Sequence, residues 1–172
     1  MRRKEIGKEN GFCSNVSVNS YKHVKHGIYH KAVTGSIAGL AQVQVMAEKV
    51  VDSWGWGYLD WVAGGIIHAT DCGANIISLS LGTYYDSELV HEAVRYAYDA
   101  GVLVVAAAGN EATNTELYPA GYDEVIAVAA TDQYDNTAYW SNYGEWIELA
   151  APGVDIYSTM STYYNIMIGA IL

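Results

Sequence analysis

Asn110 is the first residue whose type and position suggest chemistry. It follows Gly109 at the end of the continuous apolar run of residues 102–108. Such a run is typical of an inner strand of a parallel sheet, buried on both faces. Ligands of open α/β sheets bind beyond the carboxyl ends of the strands, where a glycine permits close backbone approach and an asparagine amide can donate a hydrogen bond. Asn110 is therefore a candidate functional residue, although Gly-Asn is also typical of a simple turn.

Other patterns in the chain suggest chemistry more weakly. Gly55-Trp-Gly57 begins like a dinucleotide-binding GxGxxG motif, but the third glycine is missing, so no such cofactor is predicted. His68 and His91 fall within predicted helices without a partner at metal-ligand spacing, and we interpret them as boundary residues rather than metal ligands. No metal site is assigned from these patterns. Three tryptophans near the glycine pair either line an apolar subsite or pack locally: Trp54, Trp56 and Trp61.

Composition and charge narrow the function classes. The chain has 172 residues, of which 51% are hydrophobic, so one globular domain is expected. No apolar run approaches the roughly 18 residues of a membrane helix, and no secretory signal follows the basic amino terminus. Residues 1–31 carry a net charge of +5 and residues 32–172 one of −15, which marks a break near residue 31. The acidic body disfavours nucleic-acid partners.

The elements that position these residues follow from hydrophobic spacing. Strands are predicted over 42–51, 75–82, 102–107, 124–130 and 146–150. A first helix is predicted over 58–71, ending before Gly73, and a second from Asp86 or Ser87 to Gly101. Strands that alternate with helices predict a parallel α/β layer. The predicted buried stripes are Leu59, Val62, Ile66 and Ala69, with Trp61 and Ile67 adjoining, and Leu89, Ala93, Val94, Ala97 and Tyr98.

Several motifs, taken in order, resemble those of the subtilisin-like serine proteases (subtilases, peptidase family S8). Val50-Val-Asp52 followed by Gly55-Trp-Gly57 is similar to the family pattern V-L-D-x-x-G-x-G. Residues 75–82 resemble its I-N-M-S-L-G, and residues 104–111 its V-V-A-A-A-G-N-E. Later motifs of the family are resembled by Tyr118-Pro-Ala with 125–128, by Asn142-Tyr-Gly144, which stands where S-x-x-G occurs, and by 149–153. The resemblance implies an α/β, three-layer subtilisin-like fold with a mostly parallel central sheet, incomplete at both ends.

The resemblance also implies roles for individual residues in a serine endopeptidase that works through an acyl-enzyme. Asn110 matches the oxyanion-hole asparagine of the family. Three segments match the strands that flank an extended substrate: Gly55, Gly57 and Tyr58; Ser80, Leu81 and Gly82; and Ala107, Ala108 and Gly109. An extended polypeptide substrate or a pro-segment would bind there by β-strand addition. No cofactor is required, although calcium is possible, since the resemblance places a weak cation site on backbone carbonyls near Ala120, Tyr122 and Val125.

The chain departs from the family at its catalytic triad. The family uses Asp, His and Ser in that order, but residues 1–36 contain no aspartate and residues 158–172 lack G-T-S-M-A. His26, in the only His-Gly pair, is a candidate relic of the base; otherwise it is an exposed histidine in a basic tail. We therefore expect a segment unlike the family at 1–31, a partial subtilase domain at 32–160 and a tail at 161–172.

Two functional hypotheses remain open. The chain is either a member of the serine endopeptidase family that is inactive as this isolated chain and that another chain could complete, or a non-catalytic pseudo-protease or gene fragment that at most binds extended peptides. Neither a membrane nor a nucleic-acid partner is expected. The family is usually extracellular, but the sequence itself does not assign a compartment.

Overall fold

The computed structural model describes residues 46–52 and 54–156. Along the described chain the elements are α1 (Leu59–Asp71), β1 (Ile76–Leu79), α2 (Glu88–Asp99), β2 (Leu103–Ala107), β3 (Val125–Thr131) and β4 (Leu149–Pro152). The strands form one sheet in the order β1-β2-β3-β4, and every neighbouring pair is parallel. The α/β class and the parallel sheet predicted from the sequence are confirmed.

Both helices end where the sequence predicts. Gly73 and Gly101 have φ values of +78° and +80°, a left-handed conformation that glycine adopts without a Cβ penalty. The N–H of Gly73 donates to the carbonyl of Thr70, and the following amide of Ala74 donates to Ala69. This bonding satisfies carbonyls at the end of α1 that would otherwise lack partners.

One face of the sheet and both helices enclose the core. Ile77 and Leu79 of β1 and Val104 and Ala106 of β2 point into it and are fully buried. Alternate residues on the opposite face, such as Ile76 and Leu103, are exposed. The helix pair and the sheet form two layers within the described residues, which do not test the predicted third layer.

The predicted stripe of α2 was too wide. Leu89 and Tyr98 are exposed rather than buried, and Trp61 and Ile67, which adjoin the stripe of α1, are exposed as well. At about 100° per residue, Leu89 and Tyr98 lie roughly 90° to either side of the centre of the buried stripe of α2, to which Ala93 belongs. They therefore flank the contact between the two helices, and only the centre of each stripe is covered.

Two strand predictions need correction. Residues 46–50 form no strand, although Met46 and Val50 are buried, and residues 42–45 lie outside the described part. The last strand begins at Leu149 rather than Trp146. The carboxylate of Glu148 accepts the N–H of Ala127 at 2.6 Å, so a side chain takes the place of a ladder carbonyl just before pairing starts. Within the described residues, neither helix has the length and apolarity needed to cross a membrane.

Candidate active site

A cavity of about 370 Å³ lies between the amino-terminal end of α1 and the segments that follow β1. It brings together two of the three predicted substrate segments, since Gly55, Gly57, Leu81 and Gly82 all line it. Apolar side chains from both helices form its base, and Tyr118 and Tyr122 close one side. A mostly apolar cleft flanked by glycine-containing backbone is suited to an extended peptide.

The first wall of this groove consists of Asp52 and residues 54–58, which we call the outer wall. The carboxylate of Asp52 accepts the backbone N–H of Trp54 at 2.8 Å and that of Trp56 at 3.0 Å. The N–H of Asp52 in turn donates to the carbonyl of Trp56 at 2.7 Å. Asp52 therefore fixes the turn through its own side chain, a role that the sequence analysis had not assigned.

The outer wall is otherwise open to solvent. Trp54 and Trp56 are 79% and 78% exposed, so neither packs into the core. A Cβ added at Gly57 would overlap the carbonyl oxygen of Val50, so any other residue there would force the backbone to shift. Tyr58 is exposed, packs edge to face against Trp61, and does not line the cavity.

The loop after β2, residues 107–113, carries the third predicted substrate segment, and we call it the inner wall. It does not line the cavity itself, because the Leu117 side chain lies between Gly109 of this loop and Gly82 of the cavity lining. Ala107, Ala108 and Gly109 are buried, whereas Asn110 is exposed. Gly109 has a φ of +108°, which non-glycine residues rarely adopt. The backbone N–H of Asn110 donates to the carboxylate of Glu111 at 2.8 Å. The side-chain amide of Asn110 makes no hydrogen bond with any described residue, so it is available to a ligand.

Leu117 lies between Gly82 and Gly109. A Cβ added at Gly82 would be 2.6 Å from its Cδ2, and one added at Gly109 would be 3.1 Å from the same atom. The buried Leu117 side chain thus occupies the space between two predicted substrate segments. The antiparallel bridge of Thr83 with Tyr118 holds the adjoining chain against the end of β1. No sequence motif marks Leu117 as functional.

Asn142 was also missed as a site residue, although it stands within a motif that the sequence analysis quoted. It is fully buried, yet it is polar. Its Oδ1 accepts the backbone N–H groups of Glu111 at 2.9 Å and Thr113 at 3.3 Å. Its Nδ2 donates to the carbonyl of Ala108 at 2.9 Å. A buried polar side chain with this many backbone partners is rarely incidental, because each unmade bond would be costly.

The inner wall contains an acidic side chain, that of Glu111. The hydroxyl of Tyr84 donates to the carboxylate of Glu111 at 3.0 Å. Burial raises the pKa of Tyr84, and the neighbouring Glu111 raises it further against the lowering effect of Asn142. The hydroxyl therefore remains protonated at neutral pH and acts as a donor to Glu111.

The base of the cavity is anchored to the start of α2. Tyr122 accepts the N–H of Ser87 at 3.2 Å and donates to its carbonyl at 3.0 Å. Burial raises the pKa of Tyr122 to about 12, with a further contribution from Asp86. His91 stacks on Tyr122 and bonds to Glu124 at 2.9 Å. His91 is half-buried, as expected for a boundary residue.

The structure does not bring all predicted site residues together. His26 lies outside the described residues, so its role stays a prediction. Ser80 extends β1 toward the groove and is half-buried. Described residues contain no group of three or more His, Cys, Asp or Glu side chains that could hold a metal ion. At the suggested cation site, the carbonyl of Tyr122 already accepts the N–H of Val125, which leaves one lone pair for a cation.

Comparison with known proteins now decides the family. The sequence profile of the Subtilase family matches residues 11–169, which is most of the chain. The chain belongs to the subtilase family. The match extends to both sides of the boundaries predicted near residues 31 and 160, and those boundaries remain predictions.

Subtilases of known name resemble the chain over about three quarters of its length. A thermophilic serine proteinase of Bacillus sp. (strain AK1) is 48% identical over 126 residues, which are 73% of this chain and 31% of the relative. Thermitase of Thermoactinomyces vulgaris is 45% identical over 135 residues, or 76% and 48%. Subtilisin DY of Bacillus licheniformis is 43% identical over 130 residues, or 73% and 47%. The chain therefore spans between a third and a half of these relatives.

A solved subtilase-like structure agrees with the fold. The structure of the prenylagaramide maturation protease PagA matches with a TM-score of 0.57 and 28% identity. The match covers 60% of this chain and 40% of that structure.

Proposed function

We propose that this chain forms the substrate-binding part of a subtilisin-like serine endopeptidase. An extended polypeptide lies between the outer wall at Gly55–Tyr58 and the segments Ser80–Gly82 and Ala107–Gly109. Asn110 donates its amide to the oxyanion. The observation that carries the proposal is that Leu117 packs against both Gly82, which lines the cleft with Gly55 and Gly57, and Gly109, which precedes the exposed and unengaged Asn110 amide.

The proposed chemistry is acyl transfer. A serine would attack the peptide carbonyl, and the carbonyl oxygen would become negative in the tetrahedral intermediate. An amide donor fixed at that point stabilises the developing charge without reorganising during the reaction. Removal of the corresponding donor in subtilisin, a member of this family, lowers kcat by about 10²–10³.

These 172 residues do not contain the family's full triad, so we propose that the polypeptide by itself does not hydrolyse peptides. The family's G-T-S-M-A motif is absent, and no aspartate precedes Asp52. A second chain that supplies the missing groups, or a pro-segment in the groove, are the partners that this proposal allows. The alternative function is that of a pseudo-protease, which would bind extended peptides in the same groove without hydrolysing them.

We further propose that the primary pocket accepts small side chains. Leu117 occupies the space between the segments that carry Gly82 and Gly109, at 2.6 and 3.1 Å from their added Cβ positions. A large substrate side chain would have to displace it. Leu117→Gly should therefore widen the pocket and shift the preference of the chain from peptides ending in alanine toward those ending in phenylalanine.

We propose calcium as a structural ligand rather than a catalytic one. The carbonyls near Ala120, Tyr122 and Val125 would hold it, and it would stabilise the turn before β3. Thermal unfolding with millimolar calcium and with a chelator tests this proposal. An unchanged melting temperature would contradict the proposed calcium site.

Peptide binding tests the main proposal. Exposed Trp54 and Trp56 provide a fluorescence signal on the outer wall. We expect acetyl-tetraalanine to quench or shift this fluorescence saturably, and Gly57→Ala to lower the affinity at least tenfold. If no peptide binds at millimolar concentration, the proposed groove is wrong.

Hydrolysis is tested separately with a chromogenic peptide and a serine-directed phosphonate. We expect neither turnover nor covalent labelling. Turnover together with labelling of one serine would overturn the inactive assignment while leaving the groove intact.

A further inference from the structure

The inner wall is held by one buried side chain. Asn142 accepts two backbone N–H groups, from Glu111 and Thr113, and donates to the carbonyl of Ala108. Its backbone N–H also donates to the carbonyl of Gly109 at 3.0 Å. These bonds join residue 142, in the loop between β3 and β4, to both ends of the exposed turn at Asn110.

The bonds enclose Asn110 without touching its side chain. Gly109 precedes it and is held through its carbonyl; Glu111 follows it and is held through its N–H. The Asn110 side chain itself is exposed and has no contact partner by hydrogen bonding among the described residues. Its direction is therefore set by the backbone on either side, and Asn142 fixes that backbone.

Close packing explains why the pair Gly109 and Asn142 belongs together. A Cβ added at Gly109 would lie 2.5 Å from Nδ2 of Asn142, so any larger residue would push the amide away from Ala108. An aspartate at 142 would place a negative oxygen against the Ala108 carbonyl and near Glu111. Both donor and acceptor atoms of a neutral amide are used here.

We propose that Asn142 is a positioning residue that sets the direction of the Asn110 amide toward a substrate oxyanion. The proposal rests on the proposed function, since it assigns Asn110 the role of donor. Asn142 does not touch the substrate; it acts by holding the backbone on both sides of the donor.

A binding assay can isolate the donor without hydrolysis. Acetyl-tetraalanine with a free carboxylate places a negative oxygen where the oxyanion forms, whereas the corresponding amide does not. Titration of the full chain with both peptides gives the ratio of acid to amide affinity. Loss of one hydrogen bond to a charged group corresponds to about a tenfold change in affinity. We expect Asn110→Ala to lower the ratio by about that factor.

The Asn142→Ala variant carries the test of the inference. It should lower the acid-to-amide ratio at least threefold and leave the affinity for the amide peptide within twofold. In the double variant Asn110→Ala/Asn142→Ala, the ratio should equal that of Asn110→Ala alone, because Asn142 acts only through Asn110. A further decrease in the double variant would show an independent effect and overturn the proposal.

Ser141→Ala is the matched control. Ser141 is as buried as its neighbour, but its hydroxyl accepts the N–H of Ala130 in β3 and donates to the carbonyl of Asn142. It should lower stability without changing the acid-to-amide ratio. If Ser141→Ala lowers the ratio as much as Asn142→Ala, the effect is general destabilisation and the proposal fails.

The remaining outcomes are separable. If Asn110→Ala leaves the ratio unchanged, the proposed oxyanion role is wrong and the inference falls with it. If Asn110→Ala lowers the ratio but Asn142→Ala does not, only the inference is overturned. Should Asn142→Ala fail to fold, hydrogen exchange in the unaltered chain decides. Protected amides at Glu111 and Thr113 support the hold by Asn142, and unprotected ones contradict it.

Discussion

The outer and inner walls of the groove are built in opposite ways. The outer wall is exposed, and its turn is closed by the carboxylate of its own residue Asp52. The inner wall at 107–113 continues a central strand and is held by Asn142, which lies about 30 residues further along the chain. A side chain of the same turn shapes the outer wall, whereas a buried side chain that is distant in sequence shapes the inner wall.

The difference corresponds to the tasks we propose for the two walls. A backbone edge that pairs with an extended peptide can adjust by a few tenths of an ångström, because several hydrogen bonds share the work. A single donor aimed at a developing charge gains its effect from being fixed beforehand. The inner wall therefore needs support from the core, whereas a surface turn suffices for the outer wall.

Gly109→Ala should have the largest effect, because it disturbs the buried support of the inner wall. The new Cβ would meet Asn142 Nδ2 at 2.5 Å, at a φ of +108°. Strain and overpacking together should lower the free energy of unfolding by about 3 kcal/mol. Urea unfolding followed by circular dichroism measures this loss.

Gly64→Ala is the control for this substitution. Gly64 lies within α1, and apart from the adjoining backbone of the helix no atom of the described residues would lie within 4 Å of the added Cβ. It should raise the free energy of unfolding by about 0.5–1 kcal/mol, because alanine is the better helix former. If Gly109→Ala is as stable as the unaltered chain, the inner wall is not tightly held.

Gly57→Ala makes the same test on the outer wall and should cost less stability. Its Cβ would meet the Val50 carbonyl oxygen at 2.3 Å, but without a positive φ. The exposed turn can move away, so we expect a loss of about 1–2 kcal/mol. Peptide affinity, measured by tryptophan fluorescence, should fall at least tenfold. A loss equal to that of Gly109→Ala would contradict the proposed difference between the walls.

Asp52→Ala should have a smaller effect, confined to the outer wall. It removes the acceptor of the Trp54 and Trp56 amides, at 2.8 and 3.0 Å. Since these bonds are exposed to solvent, we expect about 1 kcal/mol of stability to be lost and peptide affinity to fall severalfold. Asp52→Asn keeps a side-chain oxygen acceptor and should restore most of the affinity. Equal affinities for all three proteins would show that Asp52 does not shape the groove.

Local sequence patterns were sufficient to predict most of the fold. The apolar run that ends at Gly109 predicted a strand, and the glycines at 73 and 101 predicted the ends of the two helices. Each of these features depends on residues next to it in the sequence, so a short stretch is enough to locate it. The predicted strand at 42–51 was wrong for residues 46–50 because burial alone does not require a ladder. Exposed Leu89 and Tyr98 show that periodicity gives the centre of a helix stripe but not its width.

The supporting residues of the site could not be predicted in this way. Asn142 and Leu117 act on a loop and a strand end that are distant in sequence, and their residue types alone indicate neither role. Asn142 stood in a recognisable motif, which was the one available signal. Only the folded chain shows that its amide is used by Ala108, Glu111 and Thr113 together.

The smallest effect should come from the pair His91 and Glu124, whose side chains lie 2.9 Å apart and belong to neither wall. Burial raises the pKa of Glu124, but hydrogen bonds from His91 and from its own backbone, together with the charges of His91 and Arg95, make the net shift a lowering. A carboxyl group with a lowered pKa in the folded state contributes stability above its unfolded pKa of about 4.3. That contribution is lost as pH falls through the folded pKa.

Urea unfolding between pH 6 and pH 3 should therefore show a weaker pH dependence for Glu124→Gln than for the unaltered chain. Peptide affinity at pH 7 should be the same for both, because neither wall contains the pair. Parallel stability curves would show that Glu124 does not have this role, and a changed affinity would mean that the His91–Glu124 pair also shapes the groove.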